Sequence, residues 1–169
     1  MNKMRMPRIE KLTINIGAGK DVNKLDKALV LMKSLTNVDP YRTVTQKRIP
    51  SWGLRPGLPV GCKLTLRKGT AANMLKRLLV AKDNKLKITN FDNNGNVSFG
   101  IHEYIDIPDL KYDPKIGVIG MQVCVTLERP GHRIKRRRLL QRKLPKKQVI
   151  SREEAVDYLK TSFGIEVQA

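Results

Sequence analysis

Acidic residues are scarce in this sequence: 15 Asp and Glu stand against 34 Lys and Arg, giving a formal net charge of +19 and an isoelectric point near 10.3. Such a field draws polyanions; it speaks to partners rather than to fold. Nucleic acid is the commonest such partner for a small chain, and an anionic membrane surface is the main competitor. Aromatic residues are few as well, at 5%, so aliphatic side chains must do most of the core packing. Long apolar runs are missing: none approaches the roughly 18 residues needed to span a bilayer. The N-terminal stretch MNKMRMPRIEK is basic but has no apolar core, so no secretory signal is expected. Only two cysteines occur, Cys62 and Cys124, each within an apolar, strand-like run and without a CxxC partner or a nearby His cluster. Both are expected to be buried, reduced thiols in a cytosolic protein.

Catalytic and nucleotide-binding motifs are also lacking. INIGAGKD places a glycine turn between a strand and a helix, which invites comparison with phosphate-binding loops. The dinucleotide fingerprint would need glycine where Val22 stands, and the P-loop would need glycine at Ile14 and Ser or Thr at Asp21. Both motifs fail. Two readings remain: a plain tight turn, or backbone amides at a helix start near Lys20 that hold one phosphate of a polynucleotide. His102 and His132 lie 30 residues apart with no Cys at metal-ligand spacing, so no metal site is expected. Glu103, Asp106 and Asp109 have the spacing of a solvated or protein-facing acidic stretch, not of a paired-carboxylate site. Neither an enzyme nor a cofactor is expected.

What is present is a foldable chain. Its 169 residues, 40% of them hydrophobic, suffice for one domain with a real core, and no linker or internal repeat divides it. Leu12, Ile14 and Ile16 alternate with Lys11, Thr13 and Asn15, predicting a half-buried strand over 9–16. Val22, Leu25, Ala28, Leu29, Met32 and Leu35 recur at helical spacing, predicting a helix over 22–36 that Pro40 stops. A polar strand over 41–47, a loop rich in Pro and Gly, and a third strand over 60–66 follow. A second helix over 70–81 presents Ala71, Met74, Leu75, Leu78 and Leu79. Asp92-Asn93-Asn94-Gly95 signals a turn, predicting a hairpin over about 86–101. Residues 103–117, with two prolines and four acids, read as an ordered excursion. The strongest strand covers 118–127, with Met121, Val123, Val125 and Leu127 on one face. Ser151 with Glu154 forms a capping box for a last helix, at about 152–163, that Gly164 ends. The expected fold class is α+β: an antiparallel-type mixed sheet with helices packed on one face, a two-layer sandwich whose polar strand face stays free.

The most specific chemical signal lies at about 129–150. Between Glu128 and Glu153 there is no acid, while Arg129, Arg133, Lys135, Arg136, Arg137, Arg138, Arg142, Lys143, Lys146, Lys147 and Arg152 supply eleven cations. A solvated helix face would intersperse acids to limit self-repulsion, so a polyanion is expected to provide the compensation. The segment has no Trp or Phe for a membrane face, and Pro145 breaks any long helix, which favours nucleic acid over membrane. A nuclear-localisation signal is a lesser alternative. No helix-turn-helix, zinc-finger, basic-zipper or aromatic RNA-recognition signature is visible. Residue chemistry alone therefore stops at a polyanion, with RNA favoured.

Four longer segments say more. RIEKLTINIGAGK, PSWGLRPGLPVGCKLTLR, NFDNNGNVSFGIHEYIDIPDLKYDP and IGMQVCVTLERPG resemble, in order and at matching spacing, the universal large-subunit ribosomal protein number five. The resemblance runs from about residue 6 to residue 167. The basic run near 133–147 and the short N-terminus resemble the archaeal and eukaryotic branch, the N-terminus looking more archaeal. The resemblance implies a single ribosomal-protein domain over 1–169, cytoplasmic as part of the ribosome. It also implies binding to 5S rRNA in the central protuberance through the open sheet face and a neighbouring loop. The residues it points to are Asn15, Thr65 and Trp52, the last standing where the family usually has Phe. Lys11, Thr13 and Lys63 on the same polar strand faces join them. A Gln used by bacterial members aligns with Val38, so that contact is not made in the same way; Asn37 is a neighbouring polar substitute.

Further partners are implied in the same way. The loop 48–58 would reach the elbow of P-site tRNA through Arg48, Arg55 and Gly57. Trp52 would either stack on RNA or support the loop. The excursion 103–117 would lie toward the small subunit and help bridge to its head protein number thirteen, since acids in a cationic chain suit a protein partner. Arg133, Lys135, Arg136, Arg137, Arg138, Arg142, Lys143, Lys146 and Lys147 would hold large-subunit rRNA, with other central-protuberance proteins as neighbours. The competing class is a free-standing basic RNA chaperone or nucleoid protein, which rarely needs a full core with two irregular loops. Co-purified RNA separates the two: a 5S rRNA band for the first, a smear for the second.

The basic run carries a prediction of its own. Residues 129–147 are expected to be partly disordered in the free chain and ordered by rRNA, with counterion release driving binding. Neutralising about 6–10 phosphates costs roughly three to five decades of affinity between 50 and 200 mM salt. A salt titration of binding to large-subunit rRNA measures that slope, and a flat response would overturn the assignment.

Overall fold

Strand alternation and helical periodicity set the architecture, and the computed structural model, which describes residues 2–168, shows how they combine. In chain order the elements are β1 (Arg8–Gly17), α1 (Val22–Thr36), β2 (Tyr41–Val44), β3 (Pro59–Leu66), α2 (Lys68–Val80), β4 (Lys85–Lys87), β5 (Asn96–Ile101), β6 (Met121–Glu128), α3 (Arg133–Arg136), α4 (Arg152–Phe163) and β7 (Glu166–Gln168). A five-stranded sheet runs in the order β2-β3-β1-β6-β5, and β4 and β7 form a separate two-stranded sheet. The fold class is α+β, an open mixed sheet of antiparallel type combined with helices. The chain gathers into two compact units, one of residues 2–12, Arg67–Phe99 and 124–168, the other of Thr13–Leu66 and Gly100–Val123.

In the second unit, Ile14 and Ile16 of β1 and Cys62, Leu64 and Leu66 of β3 are buried, while Asn15, Lys63 and Thr65 between them are not. Each fully buried Leu or Ile contributes roughly 1.5–3 kcal/mol, so one sheet face carries the core and the other stays polar. Helix α1 lies against β3 and buries Leu25, Ala28, Leu31, Met32 and Leu35. Its start is fixed by Asp21, whose side chain accepts from the Lys24 amide at 3.2 Å. Its end differs from the expected proline stop. Asn37 takes the left-handed conformation, φ 56°, and its amide caps the Lys33 carbonyl, so the helix closes before Pro40 is reached. Val22, expected on the apolar face, is exposed because it occupies the first helical position, and Leu31 takes a core place instead. Strand β2 pairs antiparallel with β3 but is shorter than expected, since the register shifts at Thr43/Val44. The excursion is ordered: Tyr104 is buried and its hydroxyl accepts from the Asp113 amide at 2.9 Å.

In the first unit, α2 buries the five residues that its periodicity picks out: Ala71, Met74, Leu75, Leu78 and Leu79. Helix α4 begins with a complete capping box, Ser151 Oγ accepting from the Glu154 amide and Glu154 Oε2 from the Ser151 amide, and it ends at left-handed Gly164. The hairpin expected over 86–101 is only partly formed. The turn exists, with the Asp92 amide donating to Asn96 O at 2.8 Å and a single bridge between Phe91 and Val97. The stretch leading into it instead pairs in parallel with the distant β7, Leu86 opposite Val167. Gly95 in that turn has φ +74°, and a Cβ there would stand 2.9 Å from two Ile150 side-chain atoms, so both conformation and space require glycine.

Cys62 and Cys124 part company. Cys62 is buried, but Cys124 is exposed, because Val123 and Val125 claim the core face of β6 and alternation turns the residue between them outward. The expectation of two buried thiols is corrected for Cys124.

Gly61 offers a test of the packing. A Cβ at this site would stand 2.6 Å from the Ile16 carbonyl oxygen, so Gly61→Ala forces two strands apart and is expected to cost about 1–3 kcal/mol. Gly69, near the start of α2, meets nothing within 4 Å, and Gly69→Ala is expected to stabilise by about 0.4–1 kcal/mol. Urea midpoints of the two variants should move in opposite directions. A Gly61→Ala midpoint equal to that of the parent would contradict the close strand approach.

Candidate nucleic-acid interface

The sheet face opposite the core carries the polar residues singled out by alternation. In the second unit Thr13 and Asn15 are half-buried on β1, and Lys63 and Thr65 are exposed on β3. Asn15 Nδ2 donates to Gln122 Oε1 of β6 at 3.3 Å. Gln122 was missed by sequence reasoning, although its place between buried Met121 and Val123 was the signal that would have found it. Across β2 and β3, Tyr41 stands opposite Lys63, and the Lys63 ammonium lies 5.9 Å from the Tyr41 ring centroid. Lys11 falls in the first unit, half-buried on the polar side of β1. Amide, hydroxyl and ammonium groups in this density can donate to phosphates, 2′-hydroxyls and base edges.

Loop 48–58 is built as a braced turn. Ile49 and Leu54 form an antiparallel bridge, Pro50–Trp52 coil into one 3₁₀ turn, and left-handed Gly53 closes it by donating to Pro50 O at 2.9 Å. At its base Gly57 N donates to Thr45 O and Thr45 N to Leu58 O. The loop is pinned by Leu54, which is 9% exposed, while Trp52 is 67% exposed. Trp52 therefore does not anchor the loop from beneath. Its indole faces solvent together with the exposed Arg48, Arg55 and Gly57. The aliphatic stem of Lys20, from the glycine turn, passes beside Gly53, 3.9 Å from where a Cβ would lie. Val38 and Asn37 are exposed as well, but Asn37 is committed to the end of α1.

The basic segment is less uncompensated than its local sequence implies. Arg129, its side chain 11% exposed, donates to Glu154 Oε1 at 2.6 Å and to Lys147 O at 2.9 Å. Arg136, from the single turn α3, reaches Glu10 Oε2 at 2.5 Å and Glu128 Oε2 at 3.4 Å. Glu10 and Glu128 are themselves almost buried, and Arg67 and Arg8 bind them from other directions. The correction has a simple cause: the acids come from β1, β6 and α4, outside the acid-free window. Arg137 is half-buried, and its Nε donates to Leu140 O at 2.7 Å. Arg133, Lys135, Arg138, Arg142, Lys143, Lys146 and Lys147 are exposed, and no ion pair engages them among the described residues. Seven free cations thus project from a segment whose first turn is tied down.

Among the described residues no three His, Cys, Asp or Glu side chains approach closely enough to hold a metal ion. Burial pushes the Cys62 thiol up to about 11, so it stays protonated and poorly nucleophilic near neutral pH. No helix among the described residues is long and apolar enough to cross a membrane.

Residues 2–55 match the family model described as ribosomal protein L5, and residues 59–166 match the model for the C-terminus of the same ribosomal family. The large ribosomal subunit protein uL5 of Methanosphaera stadtmanae is 45% identical over 168 residues, covering 99% of this chain and 100% of that protein. The protein of the same name from Sulfurisphaera tokodaii is 44% identical over 168 residues, covering 99% and 95%. That from Nanoarchaeum equitans is 46% identical over 165 residues, covering 97% of each. The chain belongs to the ribosomal protein L5 family of archaeal type, a structural constituent of the large ribosomal subunit and not an enzyme.

Proposed function

We propose that this chain binds 5S rRNA with the open face of its five-stranded sheet, within the central protuberance of cytoplasmic ribosomes. The observation that carries the reading is the polar sheet face. Asn15, Gln122, Lys63 and Thr65 lie on the face opposite the buried core residues, so none of them takes part in the core. Thr13 and Lys11 extend the same strand face, and Trp52 presents an exposed indole from the neighbouring loop. The exposed cations of the basic segment then engage large-subunit rRNA, adjoining other proteins of the protuberance. Arg136 serves chiefly to tie that segment to Glu10 and Glu128. Arg48, Arg55 and Gly57 reach P-site tRNA, and the excursion 103–117 meets the small-subunit head protein number thirteen. Exposed Glu103 and Asp106 suit such a protein partner.

Asn15→Ala and Thr65→Ala are each expected to weaken 5S rRNA binding by about 1–3 kcal/mol, the cost of leaving an RNA group unpaired. Both variants should melt near the parent, since neither side chain is in the core. If they melt early while the folded fraction binds 5S rRNA normally, the two residues are structural and the reading fails.

The loop makes a separable prediction. Deleting residues 51–57 removes Trp52, Arg55 and the Leu54 anchor but spares the sheet, so folding and most 5S rRNA binding should survive. P-site tRNA retention on ribosomes carrying the deletion should fall. Retention equal to that of intact ribosomes would remove the tRNA role.

A further inference from the structure

We propose that Tyr41 is a base-stacking residue, holding one unpaired RNA base on the outer face of its ring beside the Lys63 ammonium. The inference deepens the reading of the sheet face as an rRNA surface and rests on it. Strand β2 stands at the end of the five-strand order, so no further strand of that sheet covers its outer side. Tyr41 is 65% exposed there. Among the described residues the ring contact of Tyr41 is with the Lys63 ammonium, 5.9 Å from its centroid.

Alternation shows which way the ring faces. Arg42, the next residue, pairs with Cys62 in the strand register and reaches Asp26 of α1 at 3.2 Å, so it lies on the helix side. Tyr41 and Thr43 therefore lie on the opposite, polar face, with Lys63 and Thr65. Neither β2 nor β3 contains an acid, and the nearby Asp39 is held by Lys33 at 2.8 Å. A flat aromatic surface, a cation against it, hydroxyls along the strand and nearby acids already paired with cations match one ligand chemistry: a nucleobase with its phosphate. Single-stranded RNA offers such bases, and stacking tolerates any of the four because each has a π-face. Lys63 then acts twice, polarising the ring by a cation–π contact and drawing the phosphate next to the stacked base. Sequence reading passed over Tyr41 because the strand looked merely polar.

The test compares Tyr41→Phe with Tyr41→Leu in the full-length chain binding its own 5S rRNA at fixed salt, with thermal melts to count the folded fraction. Phenylalanine keeps the stacking surface and should bind within about twofold of the parent. Leucine keeps bulk but loses the π-face and should weaken binding by about fivefold to 150-fold, equivalent to about 1–3 kcal/mol per base. Leucine binding as tightly as tyrosine overturns the proposal. So does phenylalanine losing as much as leucine, which would assign the effect to the hydroxyl. Ultraviolet crosslinking of purified large subunits provides the second measurement, read by sequencing the modified peptide. A nucleotide attached at Tyr41 supports stacking whichever rRNA supplies it, and its absence, with crosslinks at other residues of the chain, overturns stacking. If the parent fails to hold 5S rRNA yet Tyr41 crosslinks to other rRNA, the 5S assignment falls and the stacking assignment stands.

Discussion

The alternation of buried and open side chains along β1, β3 and β6 is the constraint on which the rest of the molecule depends. Leu12, Ile14 and Ile16, then Cys62, Leu64 and Leu66, then Met121, Val123, Val125 and Leu127 all lose their contact with water. Because the strand period is two, that burial leaves the intervening residues no choice of face. Asn15, Lys63, Thr65 and Gln122 are polar and accessible for the same reason that their neighbours are dry. A register slip of one residue in any of these strands would bury amides and ammonium groups and expose the aliphatic core. The polar chemistry of the open face and the stability of the sheet are two consequences of one pattern.

Charge is arranged on a second principle. With 15 acids against 34 Lys and Arg, the chain cannot neutralise itself, so the placement of its acids is informative. Glu10, Glu128 and Glu154 are set where they hold Arg129 and Arg136, and thus fix where the basic segment leaves β6. Glu10 and Glu128 are nearly buried, so the attraction is stronger there than between fully solvated ions. Beyond that anchor the other exposed cations of the segment have no acid partner among the described residues, and they repel one another. The free chain thus carries a local repulsion that its own acids do not offset, while the tethered arginines fix where the segment starts.

Much of this was legible from residue order. The periodicity of α2 named its five buried residues, and Ser151 with Glu154 and Gly164 marked both ends of α4. The candidate site was legible in part: Thr13, Asn15, Lys63 and Thr65 followed from alternation and from the family resemblance. Trp52 could not be placed, because a lone indole among prolines and glycines fits both an anchor and an outward reader. Leu54, an ordinary aliphatic two positions on, holds the loop instead. Tyr41 and Gln122 were overlooked because their meaning lies in what stands across the sheet from them.

By itself the sequence determined the partner class, the element types and the two-faced character of the strands, since net charge, periodicity and capping are properties of neighbours along the chain. Tertiary structure decided everything that depends on residues far apart in order. It joined Lys85–Lys87 to Glu166–Gln168 in parallel, where local turn chemistry pointed to a hairpin. It brought Glu10 to Arg136 and Glu154 to Arg129, compensating charges that look isolated when read in line. It set Tyr41 beside Lys63 and Asn15 beside Gln122. The physical reason is the same throughout: hydrogen bonds, ion pairs and ring contacts act over a few ångströms of space, and sequence separation is no measure of that distance.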